Sequence, residues 1–453
     1  MVWKALLLAA GATLVAPPGA HAQDAGGAGA LAVSRRHPAY FEDAAGQAVL
    51  LVGDYTWGTF SDTDYDFVRM FDALKAAGLN FARVWVWWGC EEFPQTIGRL
   101  NRVPYVRPGP GLGNDGRLKY DLGRFDPAFF AHLRDVCAAA RDRGIFLQLT
   151  LFDAWMIKHA DLWKLHAFQR DNNISGVDGD LGDTGVGTDG EKGFCSLGNP
   201  GAMAAQKAFT SHVVDAVNEF PNILFEIANE NYYNEKWELT LCEFIHELEK
   251  GEPRQHLTMP LDVPNHDYGG IKTYDLNELH SALLGARALG KPLIFDTDGI
   301  GNPDDATVRK AAWTAFTSGG NIDYLDDSLQ PGPEFHGDEE GSKRADLRRQ
   351  LGHLASVTRL VRFWEMAPGD DMVRGGRAFV LASADEVVAY LPDGGEVGLD
   401  VARLAGERNA RWLDPRSGEW SDAGQVEGGA VHTFTAPDGS DWVLLLRRAE
   451  DGP

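Results

Sequence analysis

The feature that most constrains this chain is a repeated alternation of short apolar strands and amphipathic helices, running from about residue 48 to residue 364. Ala48–Val52 is an apolar run closed by Gly53-Asp54. Asp66–Ala77 then places Phe67, Met70, Phe71 and Leu74 on one helical face and is stopped by Gly78. Phe81–Trp88 predicts a second strand, and Asp126–Arg143 a second helix, capped by Asp126 with Pro127 at its first position. Further strands are predicted at Ile145–Leu151, Asn222–Ala228, His256–Met259, Pro292–Phe295 and Asn321–Leu325. Further helices are predicted at Ala202–Glu219, Trp237–Glu249, Leu276–Leu289, Asp305–Thr317 and Lys343–Trp364. The sixth strand is weak, with Ile271–Thr273 the nearest fit, and a fifth helix is missing. Such units place a parallel sheet inside a shell of helices. The expected α/β fold is a closed (β/α)8 TIM barrel over residues 36–366, with an open doubly wound sheet as the alternative.

After Ala367 the helices stop. Ala378–Ala382, Glu386–Leu391, Ala410–Leu413, Val431–Phe434 and Trp442–Leu446 read as short strands, separated by turns such as Pro392-Asp393-Gly394-Gly395 and Pro437-Asp438-Gly439. They predict a small C-terminal β-sandwich over 370–450. At the other end, Met1–Lys4 is a positive start, Ala5–Ala16 an apolar core and Ala20-His21-Ala22 a small-residue cleavage site. This pattern predicts a signal peptide over 1–22, removed on export to the periplasm or medium; a membrane anchor is the alternative. Residues 23–35 are rich in Gly and Ala and are expected to form a flexible leader.

A formal charge of −24 repels phosphate backbones, so nucleic acid is excluded as an expected partner. No later segment has the apolar length of a membrane span. Export permits disulfides. Cys90 and Cys195 both follow strands at one barrel face and are predicted to pair, leaving Cys137 and Cys242 free. No two cysteines are close enough in sequence for a zinc motif.

In a barrel of this kind the chemistry sits where strands end. The residues there are Asp54, Trp57, Trp87, Trp88, Asp153, Trp155, Asn229, Glu230, Asp296, Asp298, Asp326 and Asp327. Carboxylates mixed with indoles suit a sugar, whose C–H faces stack on rings while its hydroxyls need polar partners. Core packing is the plainer role for any single tryptophan. Strand parity puts Glu226, Ala228 and Glu230 on one face, Asp296 and Asp298 on another, and Arg83, Trp85 and Trp87 on a third. If these faces point inward, Arg83, Glu226 and Asp296 form a deep charge cluster. Glu230 and Asp298 then stand nearer the mouth, free to meet substrate. Two such carboxylates are what glycoside hydrolysis needs, one as acid and one as nucleophile or base. Tyr232 and His266 complete the expected substrate-binding set.

Phe225-Glu226-Ile227-Ala228-Asn229-Glu230-Asn231 resembles the fourth-strand motif of clan A glycoside hydrolases, and Gly78-Leu79-Asn80-Phe81-Ala82-Arg83-Val84-Trp85 resembles their second-strand motif. More closely, the chain resembles the apiosidase-like barrel proteins, which carry a C-terminal domain labelled as collagen-binding. Arg411-Trp412-Leu413-Asp414-Pro415-Arg416-Ser417-Gly418 and Phe434 to Trp442 are similar to that domain. The resemblance implies Glu230 as acid/base and Arg83 as support for the carboxylates. It departs from the clan at the seventh strand, where Ile294-Phe295-Asp296-Thr297-Asp298-Gly299 has no Glu. Asp298 fits the mouth better than Asp296, and Gly299 would allow the closer backbone that a shorter acid needs. Retention is expected, with inversion the alternative. A non-catalytic carbohydrate-binding barrel is the second functional class.

Residues 156–200 form a long connection in which Asp178, Asp180, Asp183 and Asp189 alternate with glycines. It reads as an active-site lid rather than a calcium loop, because the spacing misses the EF-hand pattern. No cofactor or metal is expected. Asp338, Glu339 and Glu340 read as a solvated charge run.

Overall fold

The computed structural model describes residues 30–56, 58–63, 65–92, 101–231, 233–260, 266–301, 303–325 and 343–448. The expected signal peptide, Trp57, Tyr232, Asp326, Asp327 and the Asp338–Glu340 run lie outside these residues. Eight parallel strands form one sheet: β1 Val52–Tyr55, β2 Phe81–Trp85, β3 Phe146–Asp153, β4 Ile223–Asn229, β5 Thr258–Met259, β6 Gly269–Ile271, β7 Leu293–Asp296 and β8 Asn321–Leu325. Their order is β5-β4-β3-β2-β1-β8-β7-β6. Because β8 pairs with β1, Leu325 beside Tyr55, the sheet curls into a barrel rather than an open doubly wound layer. The one seam without a ladder among the described residues lies between β5 and β6.

Besides two four-residue helices, seven longer helices cover the outside among the described residues: α1 Phe67–Ala77, α2 Pro127–Arg141, α3 Pro200–Val217, α4 Glu235–Glu249, α5 Leu276–Ala288, α6 Asp305–Thr317 and α7 Lys343–Thr358. The first six start on a side-chain cap, Asp66, Asp126, Asn199, Asn234, Asp275 and Asp304, each accepting from a first-turn N–H. Each cap satisfies a donor that the helix leaves orphaned. As the sequence predicts, no helix is described between β5 and β6.

Several boundaries differ from the sequence reading. Ala48–Val49 is not barrel; it belongs to a three-stranded antiparallel sheet with Ala32–Val33 and Phe41–Glu42. Residues 30–35, predicted as part of a flexible leader, include the strand Ala32–Val33, and Leu31 belongs to the same buried apolar cluster as Phe81 and Phe146. Gly53-Asp54 does not stop the first strand but lies inside β1. A side chain at Gly53 would meet the Phe81 carbonyl at 2.4 Å, so the glycine serves close strand approach, not a turn. Finally, α7 ends at Thr358, and Phe363 turns back to pack edge-on against Tyr40 at 5.1 Å.

The C-terminal region holds β9 Ala367–Pro368, β10 Val373–Gly375, β11 Phe379–Ala382, β12 Val387–Leu391, β13 Glu396–Asp400, β14 Glu407–Leu413, β15 Trp420–Glu427, β16 Val431–Thr435 and β17 Trp442–Arg448. A six-stranded sheet, β9-β11-β12-β17-β14-β15, faces a three-stranded one, β10-β13-β16. The large sheet is buried on both sides. Val380, Ala389, Leu444 and Leu446 face the small sheet, while Leu381, Val388, Tyr390, Val443 and Leu445 join the barrel's own core. Tyr390 stacks on Trp313 of α6 at 6.0 Å, and Arg309 of α6 grips both oxygens of Asp441 at 2.8 and 2.9 Å.

All four cysteines carry buried free thiols, as expected for Cys137 and Cys242. The predicted Cys90–Cys195 disulfide does not form. Cys90 turns back on its own loop and donates to the Glu92 carbonyl at 3.3 Å.

Candidate active site

The site is organised by one fully buried guanidinium. Arg83 leaves β2 toward the barrel axis and holds Glu226 of β4 with two bonds, Nε to Oε2 at 2.7 Å and Nη2 to Oε1 at 2.8 Å. Nη2 also donates to Asn229 Oδ1 at 3.0 Å. Nη1 spans the barrel to Asp296 Oδ2 at 3.1 Å and Asp298 Oδ2 at 3.2 Å. Tyr55, the last residue of β1, donates to Asp296 Oδ1 at 2.7 Å. Gln148 and Thr150 of β3 donate to Glu226 Oε2. The Trp85 ring lies against the guanidinium, 4.5 Å from ring centre to Cζ. A buried charge is tolerated when its hydrogen bonds are complete, and this one is tied to four strands besides its own.

Charge in this dry interior is partitioned among the acids. Burial opposes ionisation of Asp296, but Arg83 and Lys272 outweigh it and hold its pKa below the usual carboxylate range. For its neighbour across the ladder, Asp323 of β8, the balance goes the other way. Burial, then the charge of Asp296, push Asp323 well above that range against the opposing charge of Arg83. Burial also pushes Asp153 up, to about 7, against hydrogen bonds from Asn229 and the Met156 amide.

Glu230 follows β4 with φ +48°, a left-handed backbone uncommon for a residue with a side chain. Its Oε2 receives Lys158 Nζ at 2.7 Å, and the same ammonium lies 5.7 Å from the Trp155 ring centre. Its Oε1 lies against Gly299: a Cβ built there would stand 3.0 Å away. The residue after Asp298 thus lies close to Glu230, at the same C-terminal face of the barrel. Asn229 links this mouth to Arg83 on one side and to Asp153 Oδ1, at 2.8 Å, on the other.

Of the residues predicted from sequence, Arg83, Glu226, Asp296, Asp298, Asn229, Asp153, Glu230 and Trp155 come together. The strict split into a deep trio and a free mouth pair does not hold. Asp298 shares Arg83 with Asp296, and Glu230 is paired with Lys158. The reason is that parity breaks at the strand tops. Glu226 and Asn229 both reach Arg83 although three residues apart, and Trp88, not Trp87, stacks on Trp85 at 5.3 Å. Trp87 instead packs outward among Tyr105, Phe168 and Phe209. Asp54 also points outward, bound by Arg348 of α7 at 2.7 Å, because Tyr55 takes the inward place. His266 sits beside Thr258 at the start of β5, at the opposite end of the barrel. Tyr55, Lys158, Lys272 and Asp323 were missed. Tyr55 and Lys272 close β1 and β6, so correct strand ends would have included them. Lys158, inside a loop, and Asp323, inside an apolar strand, carry no local signal.

Comparison with solved structures places this geometry. A glycoside hydrolase family 5 structure from Bacteroides vulgatus superposes with a TM-score of 0.65 at 17% identity, over 94% of this chain and 95% of that one. The chain shares the fold of that structure. Another structure, described as a glycoside hydrolase, matches with a TM-score of 0.64 at 16% identity, over 93% of this chain and 97% of that one. Both likenesses cover the barrel fold and the C-terminal sheets together. Residues 369–447 match a family profile described as "Putative collagen-binding domain of a collagenase". Comparison with curated protein sequences gives no match.

Proposed function

We propose that this chain is an exported glycoside hydrolase acting on a plant or bacterial poly- or oligosaccharide, with Glu230 as general acid/base and Asp298 as nucleophile of a retaining reaction. The observation that carries the reading is the meeting of two buried carboxylates at the C-terminal ends of β4 and β7, with Gly299 against Glu230. Protonated Glu230 gives its proton to the leaving oxygen as an Asp298 oxygen bonds to the anomeric carbon. Glu230 then takes a proton from the water that releases the sugar. Asp298 suits the nucleophile better than Asp296. Both oxygens of Asp296 are engaged, by Tyr55 and the Asp298 amide on one and Arg83 on the other. The bonds of Asp298 fall on Oδ2 alone, which leaves Oδ1 for the substrate. Lys158 pairs with Glu230 at rest, and substrate entry displaces that ammonium so that Glu230 takes up a proton from solvent and can donate it to the glycosidic oxygen.

A panel of aryl glycosides and polysaccharides tests this with the parent and Glu230→Gln. Proton donation typically contributes 10²–10⁴-fold, so the variant is expected to lose about that much on a natural substrate. Activity within about threefold of the parent removes Glu230 from the mechanism. Proton NMR of the first product anomer reads the stereochemistry, and the inverted anomer overturns retention. Binding without hydrolysis by the parent would leave a carbohydrate-binding barrel.

A further inference from the structure

Among the described residues the barrel has no strand ladder between β5 and β6. These are its two shortest strands, two and three residues long, and no helix is described between them. At the floor end of this seam, side chains from three directions converge. His246 comes from the last turn of α4, Thr258 opens β5, and His266-Asp267 lead into β6. His246 Nε2 lies 3.0 Å from Asp267 Oδ2, and His266 Nδ1 lies 3.6 Å from the same oxygen. One ligand atom from each residue lies within 4.8 Å of the other two. The Thr258 hydroxyl stands 2.8 Å from His266 Nδ1 and 3.3 Å from both His246 Nε2 and Asp267 Oδ2.

Ligands about 2.1 Å from a tetrahedral ion stand roughly 3.4 Å from one another. The separations here lie around that value, and two imidazoles with a carboxylate are a donor set that suits zinc. We propose that His246, His266 and Asp267 bind one Zn²⁺-type cation, with a water held by Thr258 at the fourth position. The ion clamps α4, β5 and the entry to β6 across the open seam. His246 and Asp267 are partly exposed, so the cation can enter from solvent. Cys242, one turn before His246, also hydrogen-bonds Thr258 and backs the cluster from inside. The site is structural rather than catalytic. Thr258 is level with Phe225, and Glu230 lies five residues further along, roughly 16 Å at ~3.3 Å per residue.

The test uses the tag-free mature chain, stripped with EDTA and titrated with Zn²⁺ by calorimetry and with Co²⁺ by visible absorption. One equivalent of each is expected, with the Co²⁺ bands of a four-coordinate site and a Tm several degrees higher with Zn²⁺. His266→Asn and Asp267→Asn should each abolish stoichiometric binding. His246→Gln, at a partly exposed helix position, serves if either fails to fold. Less than about 0.2 equivalents in the parent overturns the proposal. So does unchanged stoichiometry in the folded variants. None of these readouts depends on glycosidase activity.

Discussion

Asp153 shows how one residue ties stability to pH in this barrel. It is fully enclosed and accepts from Asn229 and from the Met156 amide, yet burial raises its pKa to about 7. A raised pKa means that the folded state binds the proton more tightly than the unfolded chain. The associated stability is complete below the ordinary carboxylate value and is lost as pH climbs through about 7. The shift from 3.8 to about 7 corresponds to on the order of 4 kcal/mol. Asp153→Asn removes that titration. The Tm of the variant minus that of the parent should therefore rise between about pH 4 and pH 7 and then level off. A flat difference across that window would show that Asp153 ionises freely in the fold.

Elements set the mouth through their ends rather than their middles. On β2 and β4 the inward alternation holds to Trp85 and Glu226, and then a three-residue step brings Trp88 and Asn229 round. The turn after β7 depends on Gly299, at φ +77°, whose missing side chain leaves room for Glu230. Gly299→Ala has two consequences. The left-handed backbone costs roughly 1–2 kcal/mol with a Cβ present. The new methyl, 3.0 Å from Glu230 Oε1, also pushes the acid out of place. A kcat at least about tenfold lower with KM little changed is expected, read by steady-state kinetics beside a melting curve. Parent-like kcat in a destabilised variant would show that Glu230 tolerates the shift.

The whole molecule behaves as one body because the sandwich is packed into the barrel, not tethered to it. One face of its large sheet shares the barrel core, and the buried Arg309–Asp441 pair crosses the junction, joined by the Tyr390 hydroxyl at 3.2 Å from Asp441. Calorimetry should show a single unfolding transition for both parts. Asp441→Ala leaves Arg309 buried without its partner and should cost about 3–5 kcal/mol, lowering that single transition. Two separated transitions in the parent would contradict this coupling.

By itself the amino-acid sequence determined the periodic parts: the helices with the Asp126 cap, most of the barrel strands, and the Asn229-Glu230 pair at a strand end. These are local, because caps, turns and amphipathic faces are written within a few residues. It also brought Arg83, Glu226 and Asp296 into one expected cluster, since parity is reliable inside a strand. What only the tertiary structure decided lies where distant segments meet. Asp54 turned outward because Arg348, 294 positions later, was there to receive it. Trp87 became core because Tyr105 and Phe168 from loops and Phe209 of α3 closed over it. Lys158 reached Glu230 from a loop whose path no local pattern encodes. Cys90 and Cys195 stayed thiols because a disulfide needs two side chains aimed at each other, and sequence neighbourhood at one barrel face does not supply that direction.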